Sequence, residues 1–265
     1  MAQAHGPMSR TPTPIPVRII ARLDIKGANV IKGVHLEGLR VIGSPGEIAR
    51  RYYKAGADEI LYMDVVASLY GRNNILSVVE EAAREVFVPM TVGGGIRTIE
   101  DIVAALRSGA DKVAINTAAI ARPEFLNEAA KMFGSQCIVL SVEAKRRALG
   151  QWEALTDNGR ETSGVDVLEW AIEAERLGVG EILLTSVDME GTQRGFEKEL
   201  IAAVRARVQV PVIACGGAGQ PDDVIDLVTE SDCDAVCCAS IFHYDVAPIR
   251  EVKKSLVAAG HGARL

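Results

Sequence analysis

Short apolar runs alternate with amphipathic segments along the chain from residue 17 onward. Continuous apolar runs of about four to eight residues are typical of strands that are buried on both faces of a parallel sheet. They predict eight strands, at residues 17–25, 59–64, 88–92, 112–116, 137–143, 181–186, 210–215 and 235–239. Apolar positions at helical spacing predict helices between and after them, at residues 45–55, 75–85, 99–108, 123–133, 165–177, 197–205, 222–229 and 247–258.

The two halves of the chain repeat one pattern. The segment GGGIRTIEDIVAALRSGADKVAINTAA (93–119) returns as GGAGQPDDVIDLVTESDCDAVCCASIF (216–242), roughly 120 residues later. Each copy is a Gly-rich turn, an amphipathic helix and a short apolar strand. Eight strand–helix units in two matching halves predict an α/β fold, a closed (β/α)8 TIM barrel built from two duplicated half-barrels. We expect one barrel domain over residues 17–265 and a disordered, Pro- and Thr-rich tail over residues 1–16.

Two connections are longer than the others. Residues 26–45 follow the first strand and residues 144–164 follow the fifth, at the same place in each half. We predict that both are loops. Loops that follow the carboxyl ends of barrel strands build the active site in this fold.

Composition narrows the classes of function. An apolar fraction of 48% suffices for a large core, and a net charge of −6 disfavours nucleic acid as the main partner. No apolar run approaches the roughly 18 residues that cross a membrane, so we expect no membrane contact. The five cysteines lack C-x-x-C spacing, which indicates reduced thiols in a cytoplasmic protein.

Gly-rich turns follow the third and seventh predicted strands, and small polar residues end the fourth and eighth. Backbone N–H groups at such turns and at helix N-termini bind phosphate. The first set comprises Gly94, Gly95, Asn116 and Thr117, and the second comprises Gly216, Gly217 and Ser240. Turns that merely need glycine explain one copy equally well. Two matched copies favour a ligand that carries a phosphate at each end.

Two acids occupy equivalent places in the halves, because Asp24 ends the first predicted strand and Glu143 ends the fifth. They should face each other across the barrel mouth, where opposed carboxyl groups suit general acid and general base catalysis on one substrate. The plainer alternative is that each acid pairs with a nearby lysine, Lys26 or Lys145.

Further acids at strand ends are Asp64, Asp188 and Glu190. No histidine lies among them, since His35 and His243 are isolated and fit structural or solvated positions better than metal ligands. We therefore predict neither a metal site nor another cofactor.

Charged residues also begin strands. Two cations and two anions at or near strand starts could form a neutral ring at the bottom of the barrel: Arg18, Glu59, Lys112 and Glu181. Four separately solvated rim charges are the alternative.

These residues together resemble the cyclase subunit of imidazole glycerol phosphate synthase, in a barrel family that also contains the phosphoribosyl-formimino isomerase. The resemblance covers essentially all of residues 17–265. It rests on the motifs RIIARLDIK, VIKGVHLEGLR, DEILYMDVVAS, TVGGGIRT, GADKVAINTAA, FGSQCIV, GEILLTSVD, IACGGAG and ASIFH. The runs VIKG, NTAA and ILLTSVD favour the cyclase over the isomerase.

The resemblance implies an ammonia-dependent lyase in histidine biosynthesis. Ammonia comes from a separate glutaminase subunit, which binds the N-terminal face of the barrel as a heterodimer, and passes through the barrel. The substrate is a bis-phosphorylated phosphoribulosyl-formimino aminoimidazole carboxamide nucleotide. The products are imidazole glycerol phosphate and an aminoimidazole carboxamide ribotide.

The resemblance also assigns roles to residues. Asp24 matches a catalytic aspartate, and Lys32 matches a mobile-loop lysine that contacts substrate. The two Gly-rich sets match two phosphate sites, and the four charges at strand starts match a gate for ammonia. The remaining acids, Asp64, Asp188 and Glu190, fall in the substrate-binding region.

The chain departs from the family pattern at three positions. Glu143 and Glu190 stand where the family has aspartates, and Arg22 replaces its usual cysteine. Each glutamate keeps the charge and adds one methylene, about 1.5 Å of reach. An arginine pointing into a barrel is costly unless it is paired.

Two alternatives to the cyclase stay open. The two glutamates motivate a paralogue that uses ammonia on a different acceptor, for example in surface-sugar biosynthesis. A non-catalytic scaffold or activator of a glutaminase is the other, and the intact phosphate motifs argue against it.

Overall fold

Eight parallel strands close into a ring that helices surround. The structure, a computed structural model, describes residues 15–67 and 75–265, so the predicted tail lies outside the described residues except at its last two positions. The described strands, in chain order, are β1 (Arg18–Lys26), β2 (Asn29–Val34), β3 (Glu37–Gly43), β4 (Glu59–Asp64), β5 (Met90–Gly93), β6 (Lys112–Ile115), β7 (Ile138–Ala148), β8 (Gln151–Thr156), β9 (Glu161–Asp166), β10 (Glu181–Ser186), β11 (Val212–Cys215) and β12 (Ala235–Cys238).

The ring is closed by backbone pairing on both sides of β1. The parallel ladder runs from β1 through β4, β5 and β6 to β7. In the other direction it runs from β1 through β12 and β11 to β10. β10 then pairs with β7, with Glu181 opposite Val139, and this pairing completes the circle. The predicted (β/α)8 barrel is confirmed, and each predicted strand overlaps an observed one.

The helices cover the outside of the ring. In the described residues they are α1 (Pro45–Lys54), α2 (Leu76–Ala82), α3 (Ile99–Arg107), α4 (Thr117–Ala121), α5 (Glu124–Phe133), α6 (Val167–Leu177), α7 (Lys198–Arg205), α8 (Pro221–Ser231), α9 (Ser240–His243) and α10 (Ile249–Ala258). Predicted and observed ends differ by a few residues. Helix α6 begins later than predicted because the Asp166 carboxylate caps it, accepting from the amides of Leu168 at 2.8 Å and Glu169 at 3.1 Å.

The two long connections are not loops, which corrects the prediction. The first folds into β2 and β3, antiparallel strands that extend β1 above the barrel rim. The second folds into β8 and β9, which extend β7 in the same way. Antiparallel neighbours need only a short turn, and both β1 and β7 continue beyond the rim to supply a pairing edge. Each half of the barrel therefore carries one hairpin over the mouth.

The core has two layers, because strand side chains alternate between the outside and the inside of the ring. On β1, Ile19, Ala21, Leu23 and Ile25 pack outward into the layer between strands and helices. Ile20 instead joins a separate cluster inside the barrel. Other inward residues of this cluster are Leu61, Met63, Ala114, Val139, Leu183, Ile213 and Cys215.

The repeated Gly-rich turns are fixed by matching caps. The Asp101 carboxylate accepts from the Thr98 amide at 3.0 Å at the start of α3. The Asp223 carboxylate does the same for the Gln220 amide, also at 3.0 Å, at the start of α8. Such reach-back bonds satisfy amides that the first turn of a helix leaves free. Both halves therefore present a Gly-rich turn at the same level of the barrel mouth.

Candidate active site

Asp24 belongs to a buried cluster of charges at the barrel mouth. Its carboxylate accepts a hydrogen bond from Arg22 Nε at 2.7 Å and lies 3.7 Å from Lys32 Nζ. The Lys32 ammonium also contacts the Glu190 carboxylate. All four side chains are buried, and we call them the Asp24 cluster. The structure thus brings together Arg22 and three predicted site residues, Asp24, Lys32 and Glu190.

Glu143 points into the mouth from β7, across from the Asp24 cluster. It is buried, and its carboxylate accepts from the side-chain amide of Asn116, which also donates to the Leu155 carbonyl at 2.9 Å. Thr117, the next residue, accepts from the Asp157 amide at 3.1 Å. The predicted phosphate ligand Asn116 therefore also orients the predicted acid.

The pKa values of Asp24 and Glu143 are shifted in opposite directions by their neighbours. Burial opposes the ionisation of Asp24, but the Arg22 and Lys32 charges outweigh it and lower the pKa of its carboxyl. Burial raises the pKa of the Glu143 carboxyl to about 7, against the opposing pull of Arg22 and the hydrogen bond from Asn116. Carboxyl groups whose pKa values are pushed apart take the roles of base and acid. At neutral pH Asp24 is ionised, while Glu143 exists in both states.

Lys26 and Lys145, which are close in sequence to Asp24 and Glu143, do not pair with them. Asp24 pairs with Arg22 and Lys32. Lys145 contacts the Asp188 carboxylate, which also accepts from the Arg146 amide at 2.9 Å. Asp188 is thereby held at the base of the second hairpin.

A cavity of about 440 Å³ opens beside Glu143. The first Gly-rich set and Asp64 line it, and Asp64 accepts from the Val66 amide at 3.0 Å. Sequence reasoning missed two cations in its wall, Arg97 and Arg122. The position of Arg97 directly after the GGGI turn was the available signal. Cationic and amide groups around a cavity of this size suit a phosphorylated small molecule.

The second Gly-rich set encloses far less space. Gly216, Gly217 and Ser240 line a cavity of about 10 Å³ together with Lys32 and Glu190. This volume is roughly that of one water probe. Lys32 and Glu190 therefore border the little space that is left beside the second turn.

The glycines in both turns are required by the backbone itself. Gly94 has φ +87°, and a Cβ atom there would lie 2.1 Å from the Asp64 carbonyl oxygen. Gly217 has φ +112°, and its Cβ would lie 1.9 Å from the Gly195 carbonyl oxygen. Both conformation and close approach exclude a side chain. A phosphate role for these turns thus stays a prediction, since the structural requirement alone accounts for glycine.

Four charged side chains form a closed ring at the opposite end of the lumen. Arg18 lies 2.6 Å from Glu59 and 2.7 Å from Glu181. Lys112 lies 3.0 Å from Glu59 and 2.7 Å from Glu181. Each carboxylate bridges both cations, so the charges are paired with one another rather than separately solvated. We call this the basal ring.

Within the described residues, no three His, Cys, Asp or Glu side chains are grouped so that they could hold a metal ion. In the same part of the chain, no helix has the length and apolar character needed to cross a bilayer.

Comparison with known proteins agrees with this geometry. A family model described as histidine biosynthesis protein matches residues 18–248. The imidazole glycerol phosphate synthase subunit HisF of Corynebacterium diphtheriae is 51% identical over 257 residues, which cover 95% of this chain and 99% of that protein. The subunit of the same name from Legionella pneumophila is 60% identical over 207 residues, 78% of this chain and 98% of that protein. The resemblance drawn from the motifs is confirmed, and the chain belongs to the histidine biosynthesis protein family.

Proposed function

We propose that this protein is the ammonia-dependent cyclase of imidazole glycerol phosphate synthesis. It converts the bis-phosphorylated phosphoribulosyl-formimino aminoimidazole carboxamide nucleotide to imidazole glycerol phosphate and aminoimidazole carboxamide ribotide. The similarity to HisF subunits along almost the whole chain supports the reaction. The observation that carries the chemistry is the pair Asp24 and Glu143, which share one mouth and have pKa values shifted in opposite directions.

The pair divides the proton transfers. Ammonia attacks the formimino or ketose carbon and loses a proton as its nitrogen becomes bound. Asp24, held ionised by Arg22 and Lys32, accepts that proton. The bond between the formimino carbon and the aminoimidazole carboxamide ribotide breaks, and Glu143, with a pKa near the working pH, donates a proton to the departing ribotide nitrogen.

The two Gly-rich turns give the substrate its orientation. One phosphate binds in the larger cavity at Gly94, Gly95, Asn116 and Thr117, where Arg97 and Arg122 add positive charge. The other binds at Gly216, Gly217 and Ser240, where the present space is close to that of one water. Binding there requires Lys32 to leave Glu190 and turn toward the ligand.

The opposite end of the barrel serves a partner. A glutaminase subunit docks on the N-terminal face as a heterodimer, and its ammonia enters through the basal ring. The relatives are named as subunits, which supports a multi-subunit enzyme. The buried free thiols fit a reducing cytoplasm.

The test is turnover of the phosphoribulosyl nucleotide with ammonium salt as the nitrogen source. We expect formation of both products, and a loss of about 10²- to 10⁴-fold in kcat for Asp24→Asn, because general base catalysis contributes that much. The control is Asp226→Asn, which alters an exposed aspartate on α8 and should keep full activity.

The wild-type protein must form both products for the proposal to stand. An inactive wild-type protein at all ammonia concentrations would reject this substrate and favour a different acceptor. Growth of a strain without its own histidine cyclase provides the second readout, since only the cyclase reaction rescues it.

A further inference from the structure

Arg22 occupies the barrel lumen between the basal ring and Asp24. Side chains on β1 alternate, so Arg18, Ile20, Arg22 and Asp24 point inward in succession. At about 3.3 Å per residue, Arg22 lies roughly 13 Å along the strand from the ring residue Arg18. Only 1% of Arg22 is exposed. Anything that travels along the lumen from the ring to Asp24 passes this guanidinium.

The guanidinium is held on three strands. Nε donates to Asp24 at 2.7 Å on β1. Nη1 donates to Thr185 Oγ1 at 3.3 Å on β10 and to Cys215 Sγ at 3.4 Å on β11. Nη2 is buried, and no partner for it exists among the described residues. A buried N–H group without a partner is uncommon and unfavourable, which indicates a role for it.

We propose that Arg22 is a positioning residue that fixes Asp24 as the proton acceptor and receives incoming ammonia at its unpartnered Nη2. This inference rests on the proposed function, because it concerns the nitrogen source of that reaction. Neutral ammonia has one lone pair, which can accept from Nη2–H. The ammonium ion has none, and the guanidinium repels its charge. The lumen is therefore selective for the neutral, nucleophilic form.

The charge on Asp24 depends on a small set of neighbours. Arg22 on β1 and Lys32 on β2 favour its ionised form. His243 on α9 also faces it, and burial lowers the pKa of this histidine to about 4, so the ring is neutral at physiological pH. Glu143 faces Asp24 from β7. Glu190, which pairs with Lys32, completes the set.

Two substitutions separate the functions of Arg22. Arg22→Met removes both the cation and the free N–H, so Asp24 should stay protonated to higher pH. The acidic limb of the kcat–pH profile then moves to higher pH, and kcat at neutral pH falls about tenfold to a hundredfold. The KM for ammonia rises several-fold, while the KM for the nucleotide stays unchanged. Arg22→Lys keeps the cation but loses the separate N–H groups of the guanidinium. It should therefore retain the acidic limb and still raise the KM for ammonia.

The control is Arg107→Met, an exposed arginine at the end of α3, which should move neither quantity. Arg22→Gln takes the place of Arg22→Met if the latter does not fold. An unchanged acidic limb together with an unchanged KM for ammonia in these variants would overturn the proposal. So would an acidic limb that moves as far in Arg22→Lys as in the uncharged variant.

A titration that needs no substrate keeps the two proposals distinguishable. In protein labelled with ¹³C at aspartate carboxyls, Asp24→Asn identifies the Asp24 resonance by its absence. Its midpoint should rise in Arg22→Met relative to wild type, and equal midpoints overturn the inference. Failure of wild-type turnover refutes the proposed function alone, because the titration still decides whether Arg22 governs Asp24.

Discussion

At the scale of single residues, the site depends on carboxyl groups whose chemistry their surroundings set. The Glu143 carboxylate is buried and accepts a hydrogen bond from the side-chain amide of Asn116. Burial there favours the protonated form. Asp24 is equally buried but stays ionised, because two cations lie beside it. The difference between two similar acids thus comes from their partners rather than from the residue type.

The raised pKa of Glu143 predicts a pH-dependent gain in stability for Glu143→Gln. The folded protein holds a proton up to about pH 7 that the unfolded chain releases near its ordinary value of 4.5. Wild-type stability therefore falls as pH rises through this window. Glutamine removes that loss and still accepts from Asn116, so the variant should be more stable at pH 8 by on the order of 1–3 kcal/mol, with little gain at pH 4.5.

Urea unfolding at both pH values measures this effect. Glu161→Gln, at an exposed glutamate on β9, is the matched control and should show the same difference from wild type at both. Equal stability of Glu143→Gln and wild type at pH 8 would mean that Glu143 is ionised without penalty in the folded protein.

At the scale of elements, the hairpins decide what the mouth contains. The first hairpin holds Lys32 within β2 over the barrel, where its ammonium reaches Asp24 and Glu190. The second hairpin follows β7, and the first part of β7 supplies Glu143. The Leu155 carbonyl of this hairpin accepts a hydrogen bond from the Asn116 side chain. Each hairpin thus stabilises the acid side chain of its own half.

Removing Lys32 should destabilise the fold, because buried Glu190 loses its cation and buried Asp24 keeps only Arg22. We expect Lys32→Met to lower the free energy of unfolding by about 3–5 kcal/mol, the usual effect of breaking a buried pair. The double variant Lys32→Met with Glu190→Gln should recover part of this loss, since one unpaired charge is then absent. Urea unfolding of the single and double variants measures both. Lys26→Met, an exposed lysine at the end of β1, is the control. A double variant that is less stable than the single one contradicts the pairing.

At the scale of the whole molecule, the barrel separates two kinds of site along its axis. The basal ring closes the N-terminal end with four mutual ion pairs. The mouth holds the acids and both Gly-rich turns. An apolar cluster that includes Ile20, Leu61 and Val139 lines the lumen between the basal ring and Arg22. A small neutral molecule fits this interior better than an ion does, because charge is costly in an apolar lumen.

The basal ring should control delivery rather than chemistry. Lys112→Met removes two of the ring's ion pairs and lies at the far end from Asp24. In a complex with its glutaminase, we expect the glutamine-dependent rate to fall at least several-fold. The rate with saturating external ammonium should stay within about threefold, because the acids are untouched; a misplacement of the acids would cost far more.

Both rates are measured on the same preparation. Lys198→Met removes the exposed pair with Glu230 on the barrel exterior and is the control, with both rates expected to stay unchanged. Parallel losses of the two rates in Lys112→Met would show that the ring supports the fold of the mouth instead.

The amino-acid sequence by itself determined the barrel and most of the positions that face its ends. Hydrophobic periodicity located all eight strands, since strands buried on both faces must be apolar throughout. The repeat identified both Gly-rich turns and the equivalent acids Asp24 and Glu143. The hairpins were missed, because their outer strands β3 and β9 are mostly exposed and the hairpins pair only where β1 and β7 continue past the rim.

Only the tertiary structure decided how the charges are paired. It joined Arg22 to Asp24, Lys32 to Glu190, and the four basal charges into one ring. It also showed that burial affects Glu143 and Asp24 differently. Periodicity states which side of a strand a residue occupies, but pairing and pKa depend on distances between strands remote in the chain. Those distances exist only once the ring is closed.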